Sequence, residues 1–315
     1  LPIYAVLSVI EREMNGSPGL IYMETVSQAD GSGSITLSYQ PGTNPDLAQV
    51  DVQNRVSRAT PRLPQSVTQQ GVRVDKSRSN FLLFTILNSD DPAWDPVALG
   101  DYASRNVLPE LQRVPGVGQA QLFGTERAMR IWIDPAKLMG VNLSTADVTA
   151  AIRAQNAQVS AGEIGSLPNV AGQGIAATVI VDGQLTSVEQ FGRLVLRANA
   201  DGSTVRLRDV ARIELGGQGY ATSARLNGKP STGIGVQLSP TGNALATAKA
   251  IRLKMQELER YFPPGVHWTI PYDSSVFVDI SIRQVTETLL IAVALVFLVM
   301  FLFLQDWRYT IIPTI

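Results

Sequence analysis

Histidine and cysteine, two of the side chains that most often carry catalysis or bind metals, are nearly absent from this chain. It holds one histidine, His267, and no cysteine. His267 falls on an expected strand with no carboxylates at a fixed spacing, so neither a metal site nor a base–nucleophile pair is indicated. Without thiols, thiolate catalysis, zinc-finger ligation and a disulfide scaffold drop out. G-x-S-x-G, a Walker A loop and a complete G-x-G-x-x-G are missing; Gly116-x-Gly118 has Gln121 where the third glycine would stand. The methionines (Met14, Met23, Met129, Met139, Met255, Met300) are dispersed, not clustered as a soft-metal site requires. No enzyme and no cofactor are therefore expected. The chain does offer residues for binding. Phe81-Leu82-Leu83-Phe84 sits on an expected strand, where alternation assigns Phe81 and Leu83 to one face and Leu82 and Phe84 to the other. Both faces are apolar, so one can meet a core and the other an apolar ligand. Aromatic rings suit that task, giving large contact area at little rotamer cost.

The elements that must position these residues follow a repeated phrase: a helical stretch, a proline, then Gly-Val opening a strand. It runs through Val50–Thr60, Pro64 and Gly71-Val72; through Val97–Gln112, Pro115 and Gly116-Val117; and through Ala244–Arg260, Pro263 and Gly265-Val266. Proline stops each helix, glycine turns the chain, and the β-branched residue starts the strand. Short apolar or β-branched runs at Ser34–Tyr39, Asn80–Leu87 and Gly233–Leu238 read as the strands before these helices. Strand–helix–strand units of this size suggest an α+β class of small split-βαβ sandwiches, ferredoxin-like, in preference to one doubly wound sheet. The middle differs. Ala128–Ile133 reads as a strand, Ser144 with Asp147 as an acidic capping box for a helix to about Asn156, and Gln184–Val210 as strands turning at Ala200–Ser203. Val159–Gln173 is rich in glycine and proline and has little to bury; it is either a disordered loop or an arm that packs outside its own domain.

Net charge is −1 with the 26 Lys and Arg scattered, which gives no nucleic-acid surface. Near the end, Leu289–Leu304 is an unbroken apolar run that spans about 24 Å as a helix, and Val285–Leu304 matches a hydrocarbon core. Gln305-Asp306-Trp307-Arg308 supplies a polar stop and an interfacial aromatic, and Tyr309–Ile315 turns apolar again. With Leu1-Pro2-Ile3-Tyr4 at the start and no initiating Met, the expectation is a fragment: a large extramembranous region leading into a polytopic membrane domain.

The run Val296–Ile315 (VFLVMFLFLQDWRYTIIPTI) resembles the second transmembrane helix and following loop of the resistance-nodulation-division (RND) exporters, in the hydrophobe/amphiphile branch of AcrB/MexB type. The resemblance extends along the chain through Met14-Asn15-Gly16, Gln49–Asn54, Gln70-Gly71-Val72, Gly116-Val117-Gly118, Gln121–Gly124, Ala128–Trp132, Ala154–Val159, Arg208–Ala211, Ile213–Gly217 and Pro271-Tyr272-Asp273. It implies ferredoxin-like porter subdomains at 1–79 (incomplete at its N-terminus) and at 80–126 with 218–276. An α+β docking subdomain is inserted at 127–217. A transmembrane helix follows at 277–305, and 306–315 is a loop and the start of the next span. The segment around Pro168 would be an arm inserted into the neighbouring protomer of a homotrimer.

The resemblance further implies a proton-driven drug exporter of the bacterial inner membrane, with most of this chain in the periplasm. Its partners would be amphiphilic drug-like molecules, a periplasmic adaptor, an outer-membrane channel and lipid, with no nucleic acid and no cofactor beyond the proton-motive force. Phe81, Phe123 and Tyr272 match positions that line the drug pocket, Gln121 and Ser79 match polar neighbours, and Phe84 stands where a smaller aliphatic residue is common. Gly219 and Ala221 replace a polar and an acidic pocket residue and Ile270 an aromatic, so a less polar pocket is expected. Leu1–Leu7 matches poorly, and the proton-relay residues of the family lie beyond Ile315. Two alternatives remain: the heavy-metal branch of the same family, and a surface binding module held by one C-terminal helix.

Overall fold

A computed structural model describes residues 3–28, 31–157, 163–164, 177–178, 184–200, 202–220 and 223–304. In chain order the first elements are α1 (Ile3–Met14), β1 (Leu20–Ser27), β2 (Gly33–Tyr39), α2 (Pro45–Ala59), α3 (Gln65–Gln70), β3 (Phe81–Ser89), α4 (Pro96–Tyr102), α5 (Leu108–Gln112) and β4 (Val117–Phe123). Then come β5 (Arg127–Ile133), α6 (Pro135–Gly140), α7 (Thr145–Gln155), the two-residue strands β6 (Glu163–Ile164) and β7 (Ala177–Thr178), α8 (Val188–Gly192), β8 (Val195–Ala198), β9 (Thr204–Arg206), α9 (Leu207–Val210) and β10 (Ala211–Gly217). The last are β11 (Ala224–Leu226), β12 (Lys229–Leu238), α10 (Ala244–Glu259), β13 (Val266–Asp273) and α11 (Ser275–Leu304). The chain divides into two compact units, residues 126–220 and the remainder. The fold is thus mixed α and β, with several small sheets and one long apolar helix.

In the larger unit a central antiparallel sheet runs β4-β12-β3-β13, with β11 folded back on β12 as a hairpin. Asn227 and Gly228 make that hairpin turn, both at positive φ, the backbone demanded by a tight connection between twisted strands. β3 reaches β4 through α4 and α5, passing over β12, and β12 reaches β13 through α10, passing over β3. The helices cover one face. Leu83, Leu87, Leu99, Val107, Leu111, Ile234, Val236, Ile251 and Met255 close that core, all below the reach of water. The helical stretch expected over Val97–Gln112 is interrupted by a π turn at Ala103–Val107, just before Pro109. Proline has no N–H to donate to the preceding turn, and the wider winding takes up that mismatch.

Residues 3–70 make a second, smaller core. α1 and α2 pack together over the β1–β2 hairpin, with Ile10, Met14, Val52, Val56, Ala59 and Leu63 buried. Asn44 caps α2 by accepting from the Asp46 and Leu47 amides, and Pro45 stands at the first helical position. Ser17 donates to Asp51 at 2.7 Å while Arg55 grips the same carboxylate at 2.7 Å and three carbonyls of the 13–16 turn, which ties the loop after α1 to α2. Hydrogen bonding to Ser17, then to Arg55, holds the Asp51 carboxyl below its ordinary range. The strand expected at Gly71-Val72 does not form. Residues 71–78 carry no regular secondary structure: Val72 and Val74 pack on the smaller core, where Gln49 of α2 donates to the Val74 carbonyl at 3.1 Å, and the chain then meets the central sheet, with the Arg78 amide on the Leu238 carbonyl at 2.8 Å. Gly118 makes this close approach possible: a Cβ there would stand 2.7 Å from the Lys76 carbonyl and 2.8 Å from that of Leu238.

The smaller unit is built on the β5–β10 ribbon, whose Met129, Ile131, Ile133 and Ile213 face a core of Leu138, Val148, Phe191, Leu194, Leu207 and Val210. The Ser144–Asp147 capping box forms as expected, and Ser187 with Gln190 makes a second at α8. Where the turn at Ala200–Ser203 was expected, the Asn199 amide bonds the Ser203 carbonyl at 2.8 Å between β8 and β9, with Asp201 outside the described residues, and α8 and α9 are helical turns within a stretch expected to be strand. Pro168 and most of 159–173 lie outside the described residues, as do 305–315.

α11 is 30 residues long, about 45 Å. It contains no proline or glycine, and most of its apolar residues from Leu289 to Phe303 are exposed. Several of its polar side chains bond within the helix. Arg283 pairs with Asp279 at 2.9 Å, and the Thr286 and Thr288 hydroxyls donate to the carbonyls of Ile282 and Gln284. By length and composition it can cross a bilayer.

Candidate functional site

The face of the central sheet away from the helices carries the aromatic residues, and two β-bulges put them there. Pairing steps from Val236↔Leu83 to Gln237↔Phe81, so one residue of β12 opposes two of β3. The extra residue is Leu82. It turns into the core beside Leu83, 3% and 0% exposed respectively, and strict alternation is lost. Phe81 and Phe84 therefore share the outer face; the opposite-face placement expected from alternation is corrected by this bulge. On β13 the register moves from Thr269↔Ile86 to Tyr272↔Phe84, leaving an extra residue around Ile270-Pro271. Proline cannot donate to a ladder and fits such a break. The shift brings Tyr272 beside Phe84.

Four rings result in one cluster. Phe84 lies 4.7 Å from Phe81, 5.5 Å from Phe123 and 6.0 Å from Tyr272, and Phe81 and Phe123 meet edge to face at 5.7 Å. Phe84 is thus the ring that touches the other three. The rings settle onto bare backbone at Gly235, where a Cβ would come within 2.7 Å of Phe81 and 2.8 Å of Phe123. The three phenylalanines are half-buried and Tyr272 is 47% exposed, so each keeps part of its apolar surface toward solvent.

Amides and hydroxyls frame the cluster. Gln121 is exposed on β4 opposite Gly235, two residues from Phe123. Gln237 bridges Ser77, whose hydroxyl donates to its Oε1 at 3.2 Å, and the Ser79 carbonyl, which accepts from its Nε2 at 3.0 Å. Gln119 donates to Asp75 at 3.3 Å. Of the residues expected at the site, Phe81, Phe84, Phe123 and Tyr272 come into contact, while Gln121 and Ser79 stand at the border. Gly233, Gly235 and Gln237 were not anticipated. Their signal was available in the alternation Gly-x-Gly-x-Gln along one strand, since glycine at every second position marks a face on which other groups press close to the backbone. The arrangement can hold an apolar, ring-bearing molecule by contact with ring faces and edges, and can bind its polar groups at neutral amides.

Gly235→Ala should drive a methyl group between Phe81 and Phe123. Overpacking of this kind costs about 1–3 kcal/mol. Near-ultraviolet circular dichroism should report loss of the ring couplets while the far-ultraviolet signal persists; an unchanged aromatic signal would contradict the packing described.

A model of the AcrB/AcrD/AcrF family matches residues 4–315. Similar proteins include the multidrug resistance protein MdtF of Escherichia coli K12, 48% identical over 311 residues, and the multidrug export protein AcrF of the same strain, 48% identical over 310. The toluene efflux pump membrane transporter TtgB of Pseudomonas putida is 50% identical over 309 residues. These alignments cover 98–99% of this chain but only 29–30% of each relative, so the chain spans less than a third of their length. With nearly every residue matched by the family model and close to half identical to named efflux proteins, the chain belongs to the AcrB/AcrD/AcrF family of RND transporters.

Proposed function

We propose that this chain is the substrate-capturing, trimer-forming periplasmic part of a proton-driven multidrug exporter, together with one of its inner-membrane helices. The observation that carries the reading is the four-ring cluster on the helix-free face of the central sheet. A ligand burying about 200 Å² of apolar surface there would gain about 5 kcal/mol before the costs of immobilisation. That is enough for capture and release, and too little for permanent retention. The uncharged border of Gln121, Gln237 and Ser79 fits amphiphiles whose polar groups vary, because no fixed charge selects among them.

In this reading residues 1–79 form one porter subdomain, 80–126 with 218–276 a second, and 127–217 a docking subdomain. Strand order β4-β12-β3-β13 with its two crossing helices supports a ferredoxin-like split-βαβ plan for the second porter. α11 spans the inner membrane with the rest of the chain in the periplasm, and Pro168 belongs to an arm that enters the next protomer of a homotrimer. A periplasmic adaptor and an outer-membrane channel complete the pump. No cofactor is assigned. Substrate binding drives the cycle by shifting populations among protomer states, coupled to proton movement in the membrane domain.

Phe81→Ala and Phe123→Ala in the intact transporter should lower resistance to bulky amphiphiles at normal protein abundance. If these rings served only as core, each truncation would cost about 3–5 kcal/mol and abundance would fall with resistance. Phe84→Val, which removes the ring shared by the other three, should change the ranking of substrates by size, and an unaltered ranking would count against its place in the site. Pro168→Gly should lower the resistance of the trimer to mild denaturant while leaving protomer unfolding unchanged, because it loosens a segment that must extend before inserting; trimers as robust as wild type would sink the arm assignment.

A further inference from the structure

The aromatic face and the long helix meet within four consecutive residues. Tyr272 turns outward to Phe84. Asp273, the next residue, turns inward: it pairs with Leu83 across the strands, and its side chain is 5% exposed. One carboxylate oxygen of Asp273 forms an ion pair with Arg252 of α10, and the other accepts from the Ser275 amide at 2.8 Å, where α11 begins. Ser274 then donates twice to the Leu82 carbonyl, from its amide and from its hydroxyl, each at 2.8 Å. Leu82 is the residue that bulges against β12, and on the other side of β3 Ser274 carries the β13 register one step past Asp273↔Leu83, so the amide bond extends that ladder and the hydroxyl bond reinforces it. Phe81 immediately precedes it, and Phe84 follows two residues later.

We propose that Asp273, Ser274 and Arg252 form a joint that makes the aromatic face and the first turns of α11 move as one body. Asp273 and Arg252 act as positioning residues. Arg252 holds the carboxylate in the orientation that caps the helix, and Ser274 locks the start of that helix to the bulge between two of the rings. A movement of Phe81 or Tyr272 away from its neighbours must then either carry the base of α11 with it or break these bonds. The helix transmits such a movement without absorbing it, because it lacks proline and glycine and its one internal ion pair runs along its axis. A tilt of about 5° at its base would displace the far end of a 45 Å rod by about 4 Å. The ligand that drives the movement rests on the binding role proposed above; the joint does not.

The chain has no cysteine, so two introduced thiols can be labelled without background. Lys249→Cys on α10 and Gln284→Cys on α11, both exposed, would carry spin labels in the 315-residue chain reconstituted in lipid nanodiscs. Pulsed electron paramagnetic resonance should give a narrow distance distribution for this pair. In Arg252→Leu, at a position half-exposed enough to spare the fold, and in Asp273→Asn, the distribution should broaden about twofold with the circular dichroism unchanged, and Arg252→Lys should restore the narrow width. Adding 1-N-phenylnaphthylamine, whose fluorescence reports its own binding, should shift the wild-type peak but not that of Arg252→Leu. Wild-type width together with the dye-induced shift in Arg252→Leu would overturn the joint. Failure of the dye to bind would strike the binding role alone, since the widths without dye still decide whether the joint exists.

Discussion

A β-sheet sealed by helices on one side must present its alternate residues on the other, and here two bulges decide which residues those are. Without the extra residue at Leu82, Phe81 would point into the helix-facing core and Leu82 outward. Without the extra residue near Pro271, Tyr272 would fall out of register with Phe84. Each bulge costs a ladder position. In exchange the outer face gathers four rings over a glycine backbone while Leu82 and Leu83 both add to the core. Ring placement and core filling therefore share one departure from regular pairing, and the long helix attaches to the same strand from its other side.

In the proposed binding role, the aromatic face would be chemically tolerant for reasons visible in its residues. Phenylalanine rings offer contact area without demanding directional partners, and tilted or edge-to-face contacts can adjust by small rotations. The charged group nearest in sequence to Tyr272 is Asp273, which is turned away into its ion pair with Arg252. Asp75 is engaged by Gln119 and by Arg73. In the proposed binding role, these two carboxylates would therefore contribute little to selection by charge. The segment from Lys76 to Ser79 adds Ser77 and Ser79 to the border only because Gly118 allows the chain to pass against β4 and β12.

Much of this was legible in the amino-acid order. The strand at Phe81, the helix over Ala244–Glu259, the capping box at Ser144 and the apolar helix at the end each follow from local periodicity or local hydrogen bonding, and such signals are short-ranged. The ring cluster was named residue by residue through family resemblance, whereas periodicity alone separated Phe81 from Phe84. That error has a physical origin: a bulge is created by pairing between strands about 150 residues apart, which no window along one strand can register. The failure of Gly71-Val72 to start a strand is of the same kind, since it depends on what packs against it, whereas the π turn before Pro109 follows from the proline itself. The glycines of β12 were readable in principle, because alternate glycines in a strand have few other uses.

The central claim is that the helix-free face of the sheet receives apolar ligands. Photolabelling of the membrane-reconstituted protein with a diazirine-bearing aromatic amphiphile, followed by peptide mass spectrometry, tests it most directly. The account predicts adducts at Phe81, Phe84, Phe123 or Tyr272 that disappear under excess unlabelled compound, alongside uncompeted labelling of α11 by probe dissolved in lipid. Labelling confined to α11, or adducts on the sheet that excess compound fails to displace, would contradict it.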